Sequence, residues 1–308
     1  MEASRLRIVS FLPSATEMLF AIGLGDETVG VTFECDFPPE AQPKPKVVHS
    51  HMPSGLTPAE IDAIVRAEGA QGRSLYFADL PLLESLSPDL ILLQDLCRVC
   101  AIDSPTLARD LSHLPSQPQI LSLSAHTLEG VFGDIEQVGD AAGRGSEARL
   151  LTAGLRSRVN AVKRRPEPAT RKKVLALEWL QPFFQGGHWI PEMISLAGAD
   201  PVLARAGEKS TRLTPEQVWA ADPDIIVVMP CGYHLAETIE QYRQVEFPAG
   251  WTKLRAVQAG EVYAVDGSAF FSRPGPRLVD GLELLASLFR GEPGEYVKLD
   301  ASTALVVP

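Results

Sequence analysis

The chain has 308 residues, too many for one small core and enough for two α/β lobes of ordinary size. Its composition, 45% hydrophobic and 22% charged, is globular, with no low-complexity tract. The net charge of −11 argues against a nucleic-acid backbone as partner, and no apolar stretch is long enough to span a bilayer.

The first residues carry no basic start, apolar run and small-residue cleavage site of the kind a secretory signal needs. The expected location is therefore cytoplasmic as written, or periplasmic or extracellular if the sequence is a mature form. A first strand is expected at 8–11, then a helix at 14–22 and a strand at 28–32. A helix follows at 57–67 and another at 79–86. Ser87-Pro88-Asp89 turns into an apolar run, Leu90-Ile91-Leu92-Leu93-Gln94, that reads as a strand buried on both faces because it lacks polar alternation. A helix at 104–111 and a strand at 119–123 complete the first half.

The stretch 127–164 has apolar residues at near-helical spacing over an unusual length, with Gly143-Arg144-Gly145 as the place where it can break. Arg165-Pro166-Glu167-Pro168 ends it. The second half repeats the first. It has a strand at 173–177, a helix at 190–197 and a helix at 215–221, the last opened by a Thr214/Gln217 capping box. Asp222-Pro223-Asp224 then turns into Ile225-Ile226-Val227-Val228-Met229, the same Pro-Asp-strand pattern as before. A strand at 261–265 and a helix at 277–289 follow. The βαβ alternation predicts an α/β fold of two doubly wound parallel-sheet lobes joined by one long helix. The expected divisions are 1–126, 127–165 and 166–308.

Ligands of open α/β sheets bind beyond the carboxyl ends of the strands. All four cysteines fall at such positions: Cys35, Cys97 and Cys100 in the first half, Cys231 in the second. Four thiolates can close a zinc site or hold an iron–sulfur cluster; the alternative is that they are small buried residues. The segment Glu178-Trp179-Leu180-Gln181-Pro182-Phe183-Phe184-Gln185-Gly186-Gly187-His188-Trp189 follows the first strand of the second half. Trp179, Phe183, Phe184 and Trp189 offer flat contact to a planar macrocycle, unless some of them are core. His188 is a candidate metal ligand or a cap for the next helix. Glu178 is a general base if the chain is an enzyme, or a buried, hydrogen-bonded carboxylate. Tyr233, His234, Phe270, Phe271 and Arg273 follow later strands and are placed at the same site, Arg273 as a partner for an anionic group. His49 and His51 form a further His pair of little weight. No P-loop, dinucleotide fingerprint, nucleophile elbow or zincin motif is present, which favours binding over catalysis.

Ser10-Phe11-Leu12-Pro13-Ser14-Ala15-Thr16-Glu17-Met18-Leu19, followed by Gly23-Leu24-Gly25-Asp26 and Val29-Gly30-Val31-Thr32, resembles the opening of the periplasmic-binding-protein family for vitamin B12, haem and ferric siderophores. The two Pro-Asp strands and Arg273-Pro274-Gly275-Pro276-Arg277-Leu278-Val279-Asp280-Gly281 fit the same family. The Cys-x-x-Cys and Gly-Gly-His-Trp segments resemble leaderless, cytosolic-type members. The resemblance covers essentially the whole chain. It implies a cobalamin or related metal chelate held in a cleft between the lobes, and docking onto an ABC transporter permease. The segment 52–79 stands out as an insertion. The competing expectation is a cytosolic metalloprotein or enzyme on the same fold, with zinc or an iron–sulfur cluster on the cysteines.

Overall fold

The computed structural model describes residues 5–94, 111 and 113–299, together with the backbone of 305–306. It divides into two units. The first takes residues 1–125 and 129–154, and the second takes 126–128 and 155–308.

In the first unit the described strands are β1 (Ile8–Ser10), β2 (Thr28–Thr32), β3 (Lys46–Ser50), β4 (Tyr76–Ala78), β5 (Leu90–Gln94) and β6 (Gln119–Leu123). They form one sheet in the order β4-β3-β2-β1-β5-β6, parallel except for the edge strand β4. The chain builds outward from β1 on one side and then starts again at β5 on the other, so the order reverses between them. The central strands β1 and β5 are apolar and buried over Ile8–Val9 and Leu90–Leu92, as expected of the middle of a parallel sheet, while the edge strand β6 is largely exposed. Val9, Val47, Val48, Leu83, Ile91, Leu111 and Leu114 form one core beneath the sheet. Helices α1 (Pro13–Ala21), α2 (Pro58–Ala70) and α3 (Leu80–Leu86) connect the strands. The insertion expected at 52–79 is thus ordered: it contributes α2, started by a Thr57/Glu60 capping box, and β4.

The long central stretch is helical in two pieces, α4 (Leu128–Ala141) and α5 (Gly145–Lys163). The break falls at Gly143, which adopts φ +70°, a left-handed turn that glycine takes without a Cβ penalty. The boundary between the units falls inside α5, after Gly154. On the second-unit part of α5, Arg158 grips α11 (Leu278–Leu288) through Glu283 at 2.6 and 2.9 Å and Asp280 at 2.5 Å.

The second unit is built on β7 (Lys173–Leu180), β8 (Phe183–Gln185), β9 (Asp200–Pro201), β10 (Thr211–Arg212), β11 (Ile225–Val228), β13 (Val262–Val265) and β14 (Tyr296–Lys298). Their order is β10-β8-β7-β11-β13-β14, with β9 also on β7. A short pair, β12 (Glu246–Phe247) with β15 (Leu305–Val306), lies off this sheet. Helices α6 (Ile190–Leu196), α7 (Pro215–Ala221), α8 (Leu235–Gln244), α9 (Arg255–Gln258), α10 (Gly267–Phe270) and α11 connect or cover the strands. The expected capping box opens α7: Thr214 N donates to Gln217 Oε1 at 2.8 Å, and Gln217 N to Thr214 Oγ1 at 3.4 Å.

The repeated Pro-Asp motif has one structural meaning in both units. Asp89 N donates to Arg7 O at 2.8 Å while Asp89 Oδ2 accepts from Arg7 N at 2.8 Å. Asp224 and Lys173 repeat this reciprocal pair at 2.9 and 2.8 Å. The residue before each proline is left-handed, Ser87 at φ 44° and Asp222 at φ 38°, and ends the preceding helix. The aspartate therefore fixes the register at which β5 starts beside β1, and β11 beside β7.

Candidate functional site: the carboxyl edge of the second sheet

In the second unit the strand order reverses between β7 and β11, and the loops leaving these strands meet there. Cys231 N donates to Glu178 O at 3.1 Å, tying the β11 exit to the β7 exit. Trp179 and Tyr233 meet edge to face with centroids 5.7 Å apart. Trp179 Nε1 donates to Gln181 O at 3.0 Å, which fixes the indole. Burial pushes the Tyr233 phenol up, so it remains a neutral hydrogen-bond donor. His234 Nδ1 lies 2.9 Å from Asp266 Oδ2, and Asp266 Oδ1 accepts from Ala269 N at 2.7 Å to start α10. Ser268 N donates to Tyr233 O at 3.0 Å. Gly267 makes this closeness possible: a Cβ there would stand 2.2 Å from Pro230 O. The carboxyl ends of β7 and β11, where open α/β sheets take their ligands, thus carry aromatic rings held together by backbone hydrogen bonds.

The aromatic segment splits by strand parity. Leu175 and Leu177 point into the main core of the unit. Simple alternation would send Trp179 after them. The register instead slips: Leu177 pairs with Gln185 but Trp179 with Phe184, leaving Glu178 as the extra residue of a β-bulge. The bulge reverses parity, so Leu180 and its partner Phe183 enter the core while Trp179 and Phe184 turn away, half-buried.

Three of the rings expected to face a ligand are buried. Phe183 packs against Trp251 and Phe247 with centroids 5.7 and 6.4 Å away. Trp189 is 3% exposed, with its Nε1 donating to Phe271 O at 2.8 Å, and Phe271 is equally buried against Gly281 of α11. These rings fill the core because apolar area is worth most there. Trp179, Phe184 and Tyr233 remain on the half-buried surface, joined by exposed His234 and Cys231. Arg273 and Phe270 are half-buried beside this edge in sequence, on either side of Phe271.

Of the cysteines, Cys35 is buried among Val31 and Ala41, with its Sγ 3.1 Å from Thr16 Oγ1. Cys97 and Cys100 lie outside the described residues, as does nearly all of the helix expected at 104–111. Among the described residues no three His, Cys, Asp or Glu side chains converge as a metal-binding group.

His188 caps no helix. Trp189 is the N-cap of α6, and the His188 ring turns to His126, with the two Nδ1 atoms 2.9 Å apart. His126 was not among the expected residues, since 62 positions separate the pair and no local pattern marks it. On the first unit, Phe33 is 41% exposed just after β2, with Tyr76 6.2 Å away, and Phe77 stacks on His51 at 4.5 Å. These were also not anticipated, apart from His49 and His51.

Comparison with known proteins gives a consistent result. A family model described as "Periplasmic binding protein" matches residues 8–269. An uncharacterised ABC transporter substrate-binding lipoprotein of Bacillus subtilis is 26% identical over 91% of this chain and 78% of its own length. The vitamin B12-binding protein of Vibrio cholerae is 24% identical over 92% of this chain and 89% of its own. Among solved structures, a periplasmic haem-binding protein from Pseudomonas aeruginosa superposes with a TM-score of 0.68 at 19% identity, covering 94% of each chain.

Proposed function

The chain belongs to the periplasmic binding protein family, and we propose that within it the protein binds a metal chelate, a corrinoid such as cobalamin first, and delivers it to an ABC transporter permease. The observation that carries this reading is the group of aromatic rings at the strand-order reversal of the second unit, where Trp179, Phe184 and Tyr233 stay half-buried while their neighbours enter the core. Flat, rigid rings give a large contact area to a macrocycle at little entropic cost. The cobalamin-binding and haem-binding relatives support a chelate as cargo. The lipoprotein relative supports capture outside the cytoplasmic membrane, with transfer to a permease. No described helix is long and apolar enough to cross a membrane.

Equilibrium titration of the full chain with cyanocobalamin, and separately with haem, tests the reading by calorimetry and difference absorbance. Saturable one-to-one binding of either at micromolar or lower concentration supports it, and the tighter of the two names the cargo. Absence of binding by both at tens of micromolar overturns it.

A further inference from the structure

Within the second unit, His126 and His188 face each other through Nδ1 atoms 2.9 Å apart, with ring centroids at 5.0 Å and planes inclined by 32°. One ring must donate Nδ1–H and the other accept. The two nitrogens therefore face each other, with one lone pair already in place and the other one tautomer change from availability.

The His188 side of this pair is built rather than incidental. Its backbone sits at φ 53°, a conformation a residue with a Cβ holds only when its surroundings impose it. Two hydrogen bonds impose it: His188 N donates to Glu208 O at 2.6 Å, and Gly207 N donates to His188 O at 2.8 Å. Gly187 N donates to Ser210 Oγ at 3.1 Å, and a Cβ on Gly187 would stand 2.3 Å from Ser210 N. The ring itself rests 5.5 Å from Trp189, which is anchored in the core.

We propose that His126 and His188 form a metal-binding site that takes a first-row divalent ion, such as Zn2+ or Ni2+, between their Nδ1 atoms. Bonds of about 2.0–2.1 Å in tetrahedral geometry place two nitrogens roughly 3.3 Å apart. The observed gap needs to open by only about 0.4 Å, within reach of small χ rotations. The ring that carried Nδ1–H takes the Nε2–H tautomer, so the exchange releases no net proton. With two protein nitrogens and no converging third side chain among the described residues, the ion keeps open positions for water or for a donor atom of a bound molecule.

The test is calorimetric titration of the full chain with ZnCl2 and with NiCl2 in a non-coordinating buffer. It is run in a Cys97→Ser/Cys100→Ser background so that the paired thiols do not contribute. One ion per chain is expected at micromolar affinity, weakened at least tenfold by His126→Ala and by His188→Asn. Asparagine is chosen because it tolerates the left-handed backbone. Co2+ gives a second reading: its visible bands should appear in the parent and vanish in His126→Ala. Thermal unfolding of each variant shows whether it is folded. Failure of one-to-one binding in the parent, or unchanged affinity in folded His126→Ala, would overturn the site. Either result leaves the cyanocobalamin and haem titrations untouched, so the two readings stand or fall separately.

Discussion

Trp179 meets Tyr233 edge to face at 5.7 Å, across the point where the strand order of the second sheet reverses. The contact exists because a bulge at Glu178 takes Trp179 out of the series of core-facing residues that precede it. The same bulge puts Phe183 inside. Two aromatics four residues apart therefore do different work, one lining a surface and one holding a core.

That division predicts opposite outcomes for the two truncations. Phe183→Ala removes a ring stacked on Trp251 and Phe247 and should cost about 3–5 kcal/mol of stability. Trp179→Ala should cost below about 1 kcal/mol, as expected of a half-exposed position, yet impair chelate binding. Denaturant unfolding of both variants, beside a binding titration, checks the pair. Equal stability losses would refute the parity argument.

Asp89 and Asp224 each satisfy the first amide of a neighbouring strand, at Arg7 and Lys173. Replacing either with Ala leaves that N–H to solvent and should lower stability by about 1 kcal/mol. Asn, which keeps a side-chain oxygen, should lose less. Amide hydrogen exchange gives the sharper reading: Arg7 should lose protection only in Asp89→Ala, and Lys173 only in Asp224→Ala.

Asp134 on α4 is buried, and its Oδ2 accepts from Ala125 N at 3.1 Å. Burial raises its pKa from 3.8 to about 6, against the lowering effect of the Ala125 and Ser124 amides. The folded state thus holds this proton more tightly than the unfolded chain does. The resulting stability is fully present below the unfolded value and is lost as pH rises through about 6. Relative to Asp134→Asn, the wild type should lose about 1–3 kcal/mol between pH 4 and pH 7. Urea unfolding at several pH values measures the difference, and a wild type that gains on Asp134→Asn over this range would contradict the assignment.

Gly267 admits no side chain, since a Cβ would collide with Pro230 O at 2.2 Å. Gly267→Ala should force the loop at 230–234 away from α10 and cost about 1–3 kcal/mol. It should also disturb the His234–Asp266 contact and weaken chelate binding, although residue 267 need not touch the ligand. A binding constant equal to wild type would show that this loop does not shape the site.

Much of the fold was legible because its signals are local. The Pro-Asp turns, the capping box at Thr214 and the glycine break at Gly143 each need only a few consecutive residues to recognise. The site was legible in part. The rule that ligands sit beyond strand ends pointed to the segment 178–189, and within it and the loop after β11 the rings of Trp179, Phe184 and Tyr233 stay half-buried. The rule could not say which rings turn inward. That depends on one extra residue in β7, whose effect appears only when β8 pairs with it. The antiparallel β8 has no counterpart among the expected strands, because three residues between proline and glycine carry too little periodicity to mark one. His126 lay beyond any local reading, since its meaning comes from a partner distant in sequence.

The most direct test of the account is a cyanocobalamin and haem titration of wild type beside Trp179→Ala and Tyr233→Phe, followed by calorimetry. The account predicts one chelate bound per wild-type chain at micromolar or tighter affinity. It predicts a loss of at least tenfold in Trp179→Ala, with a smaller loss in Tyr233→Phe, which keeps the ring and drops only the hydroxyl. Binding of equal strength in wild type and folded Trp179→Ala, or no binding of either chelate by the wild type, would contradict it.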